Sequence, residues 1–60
     1  MRIKRRAHAL REGNKVDLGI LGVRIIESVA RGGGGRVLIA YRGDKRSYSY
    51  NPADSFTVVD

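Results

Sequence analysis

Residues 23–43 read VRIIESVARGGGGRVLIAYRG, two runs rich in β-branched residues on either side of four consecutive glycines. The second run alternates cleanly, which predicts a strand whose odd-numbered residues face the core. In the first run the alternation breaks at Ile26 and Glu27, and a β-bulge there would restore it. The glycines are typical of a hairpin loop and not of a strand interior. The stretch therefore predicts a long, bent β-hairpin at the centre of the fold.

Three more strands are predicted outside this hairpin. Residues 15–18 alternate ahead of a tight turn at 19–22, and residues 47–50 alternate after a turn at 43–44. Asn51 and Pro52 then end that strand, and a short 3₁₀ turn leads into the last one, which begins at Phe56. Five short strands separated by turns every 8–12 residues or so favour a small barrel or sandwich.

Three pieces of the chain resemble SH3-like small barrels of the KOW and Tudor kind. REGNKVDL resembles their opening strand, the hairpin above resembles their central meander, and NPADSFTVVD resembles their short 3₁₀ turn and last strand. The resemblance covers residues 11–60 and implies an all-β, five-stranded SH3-like barrel over residues 13–60. It identifies no binding residues, because many unrelated families share this shape.

The positive charge is concentrated at the beginning of the chain. Residues 1–11 hold five Lys and Arg and no acid, giving 5 − 0 = +5, whereas residues 12–60 hold seven bases and six acids, giving 7 − 6 = +1. A dense run of like charge repels itself unless a polyanion neutralises it. A basic arm over residues 1–12 therefore predicts a polyanionic partner, with nucleic acid ahead of an anionic membrane surface.

The conformation of this arm is open to two interpretations. Ile3, Ala7 and Leu10 have the i, i+4, i+7 spacing of a helical stripe, and Gly13 is placed to end such a helix. A single helix of about ten residues is marginal in water unless it docks. We expect a frayed arm, or a short helix when the arm is bound.

The candidate contact residues are the cations of the arm and of the loops around the central hairpin. Each phosphate that they neutralise would release counterions. The alternatives are a solubilising tail and, for the glycine run, a permissive linker. No recognition helix is apparent, so we expect recognition of backbone or shape. The ten candidates are Arg2, Lys4, Arg5, Arg6, Arg11, Arg31, Arg36, Arg42, Lys45 and Arg46.

Tyr48 and Tyr50 alternate with two serines and have the parity of Arg46. Facing outward, they would stack on bases beside a basic patch. Facing inward, they would fill the core, for which the whole chain provides only four aromatic residues. The outward arrangement would turn Ser47 and Ser49 into the core, so the sequence favours the inward one.

The residues of common active sites are missing. The chain has no Cys and a single His, His8, which lies in the arm, and its acids are dispersed. Asp54 is expected to cap the turn after Pro52. We therefore expect no enzyme activity, no cofactor and no metal site. No secretory signal or membrane span is apparent, and Ile3, Ala7 and Leu10 offer little area for insertion, so we expect a cytoplasmic protein that binds no membrane.

The sequence thus predicts a small, basic, non-catalytic protein that binds DNA or RNA by backbone or shape. The alternative is an SH3-like protein-interaction or assembly module that self-associates as a homo-oligomer or docks a protein partner, because a core this small gains stability by association. In that case Ile26 and Leu38, which have the parity opposite to the presumed core, would form the interface.

Overall fold

The computed structural model describes residues 2–59, which form six antiparallel strands and three single-turn 3₁₀ helices. The strands are β1 (Arg2–Arg6), β2 (Lys15–Asp17), β3 (Val23–Arg31), β4 (Val37–Tyr41), β5 (Ser47–Tyr50) and β6 (Ser55–Val59). They form one sheet in the order β1-β6-β2-β3-β4-β5. The all-β class is therefore confirmed. None of the helical turns in the described range has the length and apolar character that a membrane crossing requires.

The sheet bends where the sequence predicts a bulge. Ile26 lies opposite Tyr41 and the next pair is Ser28 with Ala40, so Glu27 is an extra residue in β3. The first part of β3 pairs with β2 and the remainder with β4. A bulge bends its strand and increases the local twist. The two halves of the sheet therefore curl toward each other.

One apolar cluster fills the space inside this curl. Its buried members are Ala7, Leu10, Val16, Ile26, Val37, Ile39, Tyr41, Phe56 and Val58. The ring of Tyr50 in β5 meets the ring of Phe56 in β6 edge to face, with 4.9 Å between centroids. Three strands separate β5 from β6 in the sheet order, so this contact joins the two halves across the core.

The glycine run forms the loop of the predicted hairpin. The backbone N–H of Gly32 donates to the carbonyl of Arg36 at 2.8 Å and closes the hairpin. Within the loop, Gly34 and Gly35 have φ values of 70° and 76°, a conformation that side chains with a Cβ rarely adopt. The turn geometry alone therefore accounts for glycine at these two positions.

The basic segment is neither a frayed arm nor a short helix but an edge strand of the sheet. β1 pairs with β6 along its whole length, with Lys4 opposite Thr57 at the centre. Alternation places Arg2, Lys4 and Arg6 on the outer side, about 6.8 Å apart in sequence order, and Arg5 on the opposite side. The predicted repulsion among neighbouring cations is thereby reduced without a helix.

The turn that follows β1 is also part of the fold. The backbone N–H of Ala7 donates to the carbonyl of Asp54 at 2.8 Å, and that of Leu10 donates to the carbonyl of Ala7 at 3.1 Å. The side chains of Ala7 and Leu10 are only 0% and 4% exposed. The spacing that predicts a helical stripe therefore has a different cause, a strand followed by a 3₁₀ turn.

The strand count and the closure of the sheet differ from the sequence-based expectation. Six strands are present because β1 joins the five that the sequence predicts. β1 and β5 are the two outer strands and are not hydrogen-bonded to each other, so the sheet does not close into a five-stranded barrel.

Ile26 and Leu38 do not form the exposed pair that the assembly alternative requires. Ile26 is completely buried, because the bulge at Glu27 reverses the parity of β3 between its two halves. Leu38 is half-buried beside Gly32, where an added Cβ would lie 3.4 Å from the Leu38 side chain. The placement of Ile26 at an interface is therefore wrong.

The substitution Leu10→Ala tests whether the N-terminal segment belongs to the core. We expect a loss of about 2–5 kcal/mol in the free energy of unfolding, as for other buried leucines. The exposed Ile20 supplies the control, because Ile20→Ala should change the stability of the dilute, monomeric protein by less than about 0.5 kcal/mol. Urea unfolding measures both, and an equally small effect of the two substitutions would contradict the docking of this segment.

Candidate nucleic-acid interface

Most of the basic side chains have no acidic partner in the fold. The chain has twelve Lys and Arg, and a single ion pair joins one of them to a carboxylate within residues 2–59, Arg2 with Asp17. Exposed pairs of this kind contribute little to stability. The positive charge is therefore left largely uncompensated at the surface.

The carboxylates of three acids accept backbone hydrogen bonds within turns instead. The carboxylates of Asp17 and Asp44 each accept a hydrogen bond from the backbone N–H two residues ahead, at 2.9 Å in both cases. The carboxylate of Asp54 accepts from the backbone N–H of Asn51 at 3.1 Å, which confirms the capping role predicted for Asp54. These acids hold turns, and Asp17, through Arg2, is the one among them that forms an ion pair within residues 2–59.

The pKa values of two of these carboxyls reflect their hydrogen bonds. The Arg2 guanidinium, followed by the backbone N–H of Gly19, holds the pKa of Asp17 below its usual value. The backbone N–H of Arg46, followed by the Tyr48 hydroxyl, lowers the pKa of Asp44. Both carboxylates therefore accept these hydrogen bonds as anions at neutral pH.

β1 carries the densest group of cations. Arg2, Lys4 and Arg6 lie on its outer side, and strand geometry spaces alternate residues by about 6.8 Å. One guanidinium nitrogen of Arg6, Nη1, donates to the carbonyl of Ala53 at 2.9 Å and so fixes this side chain against the turn before β6. Arg5 lies opposite Phe56 and is exposed at the free edge of the strand.

Lys15 extends this basic outer side onto β2, although it is not among the ten candidates predicted from the sequence. Val16 beside it is fully buried, so Lys15 faces outward together with Asp17. The alternation of residues 15–18 is enough to predict that Lys15 faces outward. The sequence alone does not predict that β6 lies between β1 and β2 in the sheet.

Arg11 and Arg31 are brought together at a groove, although twenty residues separate them in the chain. The groove has a volume of about 360 Å³ and lies between residues 8–12 and the second half of β3. His8 and the acid Glu12 also line it. Two of the candidate cations thus line one concave surface.

The other loop cations are divided between the two ends of the hairpin. Arg31 and Arg36 lie at one end of β4, and residues 42–46 lie at the other, about 17 Å away for a strand of this length. Arg36 is held in place, because its Nε donates to Ser49 Oγ at 2.7 Å and its Nη2 donates to the Ser49 carbonyl at 3.1 Å. The loop residues therefore do not form one continuous contact zone.

The turn at 42–46 gathers Arg42, Lys45 and Arg46 around Asp44. Arg24, which the sequence-based list omits, is close enough to contribute to the lowered pKa of Asp44. Its Nε donates to the carbonyl of Leu21 at 3.3 Å. Only the pairing of β3 with both β2 and β4 brings Arg24 to this turn.

The tyrosines of β5 face the core, as the sequence favours. Tyr48 and Tyr50 are half-buried against the apolar cluster. The hydroxyl groups of Tyr41 and Tyr50 are 2.9 Å apart, and the hydroxyl of Tyr48 donates to Asp44 Oδ2 at 2.8 Å. Burial, assisted by the Tyr50 hydroxyl, raises the pKa of Tyr41. These contacts account for the tyrosines by packing, without stacked bases.

The described part of the chain contains no group of three or more His, Cys, Asp or Glu side chains placed to hold a metal ion. His8 lies at the groove, apart from the acids that cap turns. The exposed charged groups of this surface are therefore mainly positive, which favours the binding of anionic ligands.

The substitution Asp44→Asn tests the charged turn. Because the folded-state pKa of Asp44 lies below the usual value of 3.8, its stabilising effect is present above that pH and is lost as pH falls through the lowered pKa. Asp44→Asn should therefore reduce the free energy of unfolding at neutral pH, and the reduction should be smaller at about pH 2.

Urea unfolding at the two pH values measures this difference. Glu27→Gln is the control, because Glu27 makes no side-chain hydrogen bond within residues 2–59. An Asp44→Asn effect of the same size at both pH values would contradict a role for the ionised carboxylate.

Comparisons of the chain with protein families, with curated proteins and with solved structures found no match.

Proposed function

We propose that this protein is a non-catalytic nucleic-acid-binding protein that contacts the phosphate backbone of DNA or RNA. The observation that carries the proposal is the ordered basic edge of the sheet, where β1 holds four of its five residues as cations, Arg2, Lys4, Arg5 and Arg6. Pairing with β6 fixes these positions before any ligand binds. The entropy cost of arranging the cations is therefore met largely in folding.

The spacing of this edge is compatible with a nucleic-acid strand. Outward residues of β1 recur every 6.8 Å or so. One strand of B-DNA carries a phosphate for each 3.4 Å or so of helix axis. Successive outward side chains thus match every second phosphate. Because Lys and Arg are long, they can reach these phosphates without base contacts, which supports backbone recognition.

The electrostatic balance supports the same ligand. The chain has a net charge of +6, and its described portion contains one ion pair. Release of counterions from a polyanion would favour binding at low salt. The cations at the groove and at the turn over residues 42–46 add attraction over a wider area and strengthen steering toward the ligand.

We also propose that the fold is an SH3-like small barrel to which β1 is added. Its body is residues 13–60, of which Asp60 lies outside the described residues. The bulged β3, the β3–β4 hairpin and the turn before β6 support this assignment. We further propose that the protein acts in the cytoplasm.

Paired neutralising variants test the basic edge. Lys4→Gln with Arg5→Gln removes two β1 cations that make no hydrogen bond or ion pair within residues 2–59. We expect weaker binding to all sequences alike, and a salt dependence of log K that flattens by about two units. Fluorescence anisotropy with labelled duplex DNA, single-stranded DNA and RNA over a range of salt measures both quantities.

Arg42→Gln with Lys45→Gln is the matched control, because it removes the same charge from exposed side chains of a remote turn. We expect it to flatten the salt dependence less than the β1 pair does. Equal effects of the two pairs would show that net charge matters and the basic edge does not. A wild-type protein that fails to bind any of the three ligands at low salt would end the proposal.

A second candidate function is self-association through an apolar turn. Ile20 is fully exposed, and Leu21 and Val23 beside it are 63% and 51% exposed. Contiguous exposed apolar residues often mark an interaction site. A chain of 60 residues also gains stability by covering such surface. This turn replaces Ile26 and Leu38 as the candidate interface between copies.

Light scattering tests the second candidate. If two copies pack through this turn, the wild type has the mass of a dimer, and Ile20→Ser with Leu21→Ser returns the mass of a monomer with an unchanged circular dichroism spectrum. A monomeric wild type at high protein concentration would rule the turn out as a self-association site.

A further inference from the structure

The second half of β3 has one paired and one open edge. β4 pairs with residues 28–31 on one side. On the other side β2 pairs only with 23–25, before the bulge. Residues 8–12 pass along this open side and form the opposite wall of the groove. β3 therefore has partners on both sides only near Ile25 and Ile26, and its second half has a free edge.

The hydrogen bonds at both ends of this segment determine which backbone groups are open. At one end, the N–H of Gly32 donates to Arg36 and closes the hairpin. At the other, the N–H of Ile26 donates to the carbonyl of Asn14 at 2.9 Å, away from β4. Bonded and non-bonded pairs alternate along an antiparallel ladder. Val29 and Arg31 therefore point their N–H and C=O groups into the groove.

No partner within the protein takes up these groups in the part of the chain that the structure describes. The backbone hydrogen bonds outside the strand ladders include none to the N–H or C=O of Val29 or Arg31. The groove thus presents two donors and two acceptors in strand geometry. Unpaired groups of this kind are a template for another strand.

The side chains around the open edge supply shape and charge. Leu10, Val29 and Val37 are apolar residues of the groove lining, and Arg11 and Arg31 line it from residues 8–12 and from β3. Glu12 is the one acid that lines it. The groove lining is thus net positive and partly apolar, which is complementary to an extended chain with acidic and apolar residues.

We propose that the groove binds an extended acidic peptide segment of a partner protein, which adds a strand to β3 beside Val29 and Arg31. Main-chain hydrogen bonds provide the affinity in this mode of recognition, and side-chain contacts provide the specificity. Carboxylates of the peptide pair with Arg11 and Arg31, and its apolar residues meet Leu10 and Val37.

The open carbonyls favour a peptide over a nucleic acid in this groove. A peptide strand offers donors and acceptors alternately, so it satisfies both the N–H and the C=O of Val29 and Arg31. A phosphodiester only accepts hydrogen bonds, and it would leave both carbonyls facing its own oxygens. The proposal is independent of nucleic-acid binding at β1, because the two sites use different surfaces.

Amide hydrogen exchange of the free protein tests the open edge. The amides of Val29 and Arg31 should exchange much faster than those of Ser28 and Ala30, which β4 protects. Uniform protection across residues 28–31 would overturn the assignment of an open edge.

Titration of ¹⁵N-labelled protein with the capped hexapeptide acetyl-(Glu-Val)₃-amide tests the ligand. We expect shift changes and slowed exchange at Val29 and Arg31, and a roughly tenfold rise in Kd for Arg11→Gln with Arg31→Gln. The same peptide with N-methylated backbone nitrogens keeps its charge but should not bind. Lys4→Gln with Arg5→Gln should leave the peptide Kd unchanged.

Three results would overturn the proposal. These are an absence of peptide binding, equal binding of the N-methylated peptide, and protection of the Val29 and Arg31 amides by an oligonucleotide in place of the peptide. Loss of nucleic-acid binding in the β1 variant alone bears on the proposed function and leaves the groove proposal standing.

Discussion

The extra residue at Glu27 determines both the shape of the core and the open edge of β3. It shifts the register between β3 and β4, so that Ile26 before the bulge and Val29 after it both face the core. It also bends β3, which lets β5 meet β6 across the apolar cluster. Because β2 pairs with β3 only before the bend, the remainder of β3 is left with an open edge. The core and the groove thus have a common origin in one local irregularity.

The N-terminal segment links the fold to its surface charge. A strand of almost continuous Lys and Arg is unfavourable by itself, because like charges repel. It is held by the ladder to β6 and by the buried side chains of Ala7 and Leu10 immediately after it. Charged side chains on an outer strand also discourage pairing with other chains. The same residues therefore protect an edge and form a rigid basic surface.

Much of the body of the fold is predictable from local patterns in the sequence, and the position of β1 is not. Alternation and turn residues predict the body strands, and the broken alternation at Ile26 and Glu27 predicts the bulge. The inward tyrosines follow because serines are poor core residues. The sequence does not predict β1, because Ile3, Ala7 and Leu10 match a helical period by coincidence and the partner strand β6 lies at the far end of the chain. The candidate cations were identifiable singly, but the meeting of Arg11 with Arg31 and the contribution of Arg24 require the topology.

If the cations of β1 form an ordered edge that binds nucleic acid, individual amides of this strand should report it. A titration of ¹⁵N-labelled protein with short duplex and single-stranded oligonucleotides at low salt would follow the amides of residues 2–6. We expect contacts from these residues to β6 in the free protein and the largest shift changes at the same amides on binding. Amides of residues 2–6 with the shifts of an unfolded chain, or shift changes confined to the groove and the turn at 42–46, would contradict it.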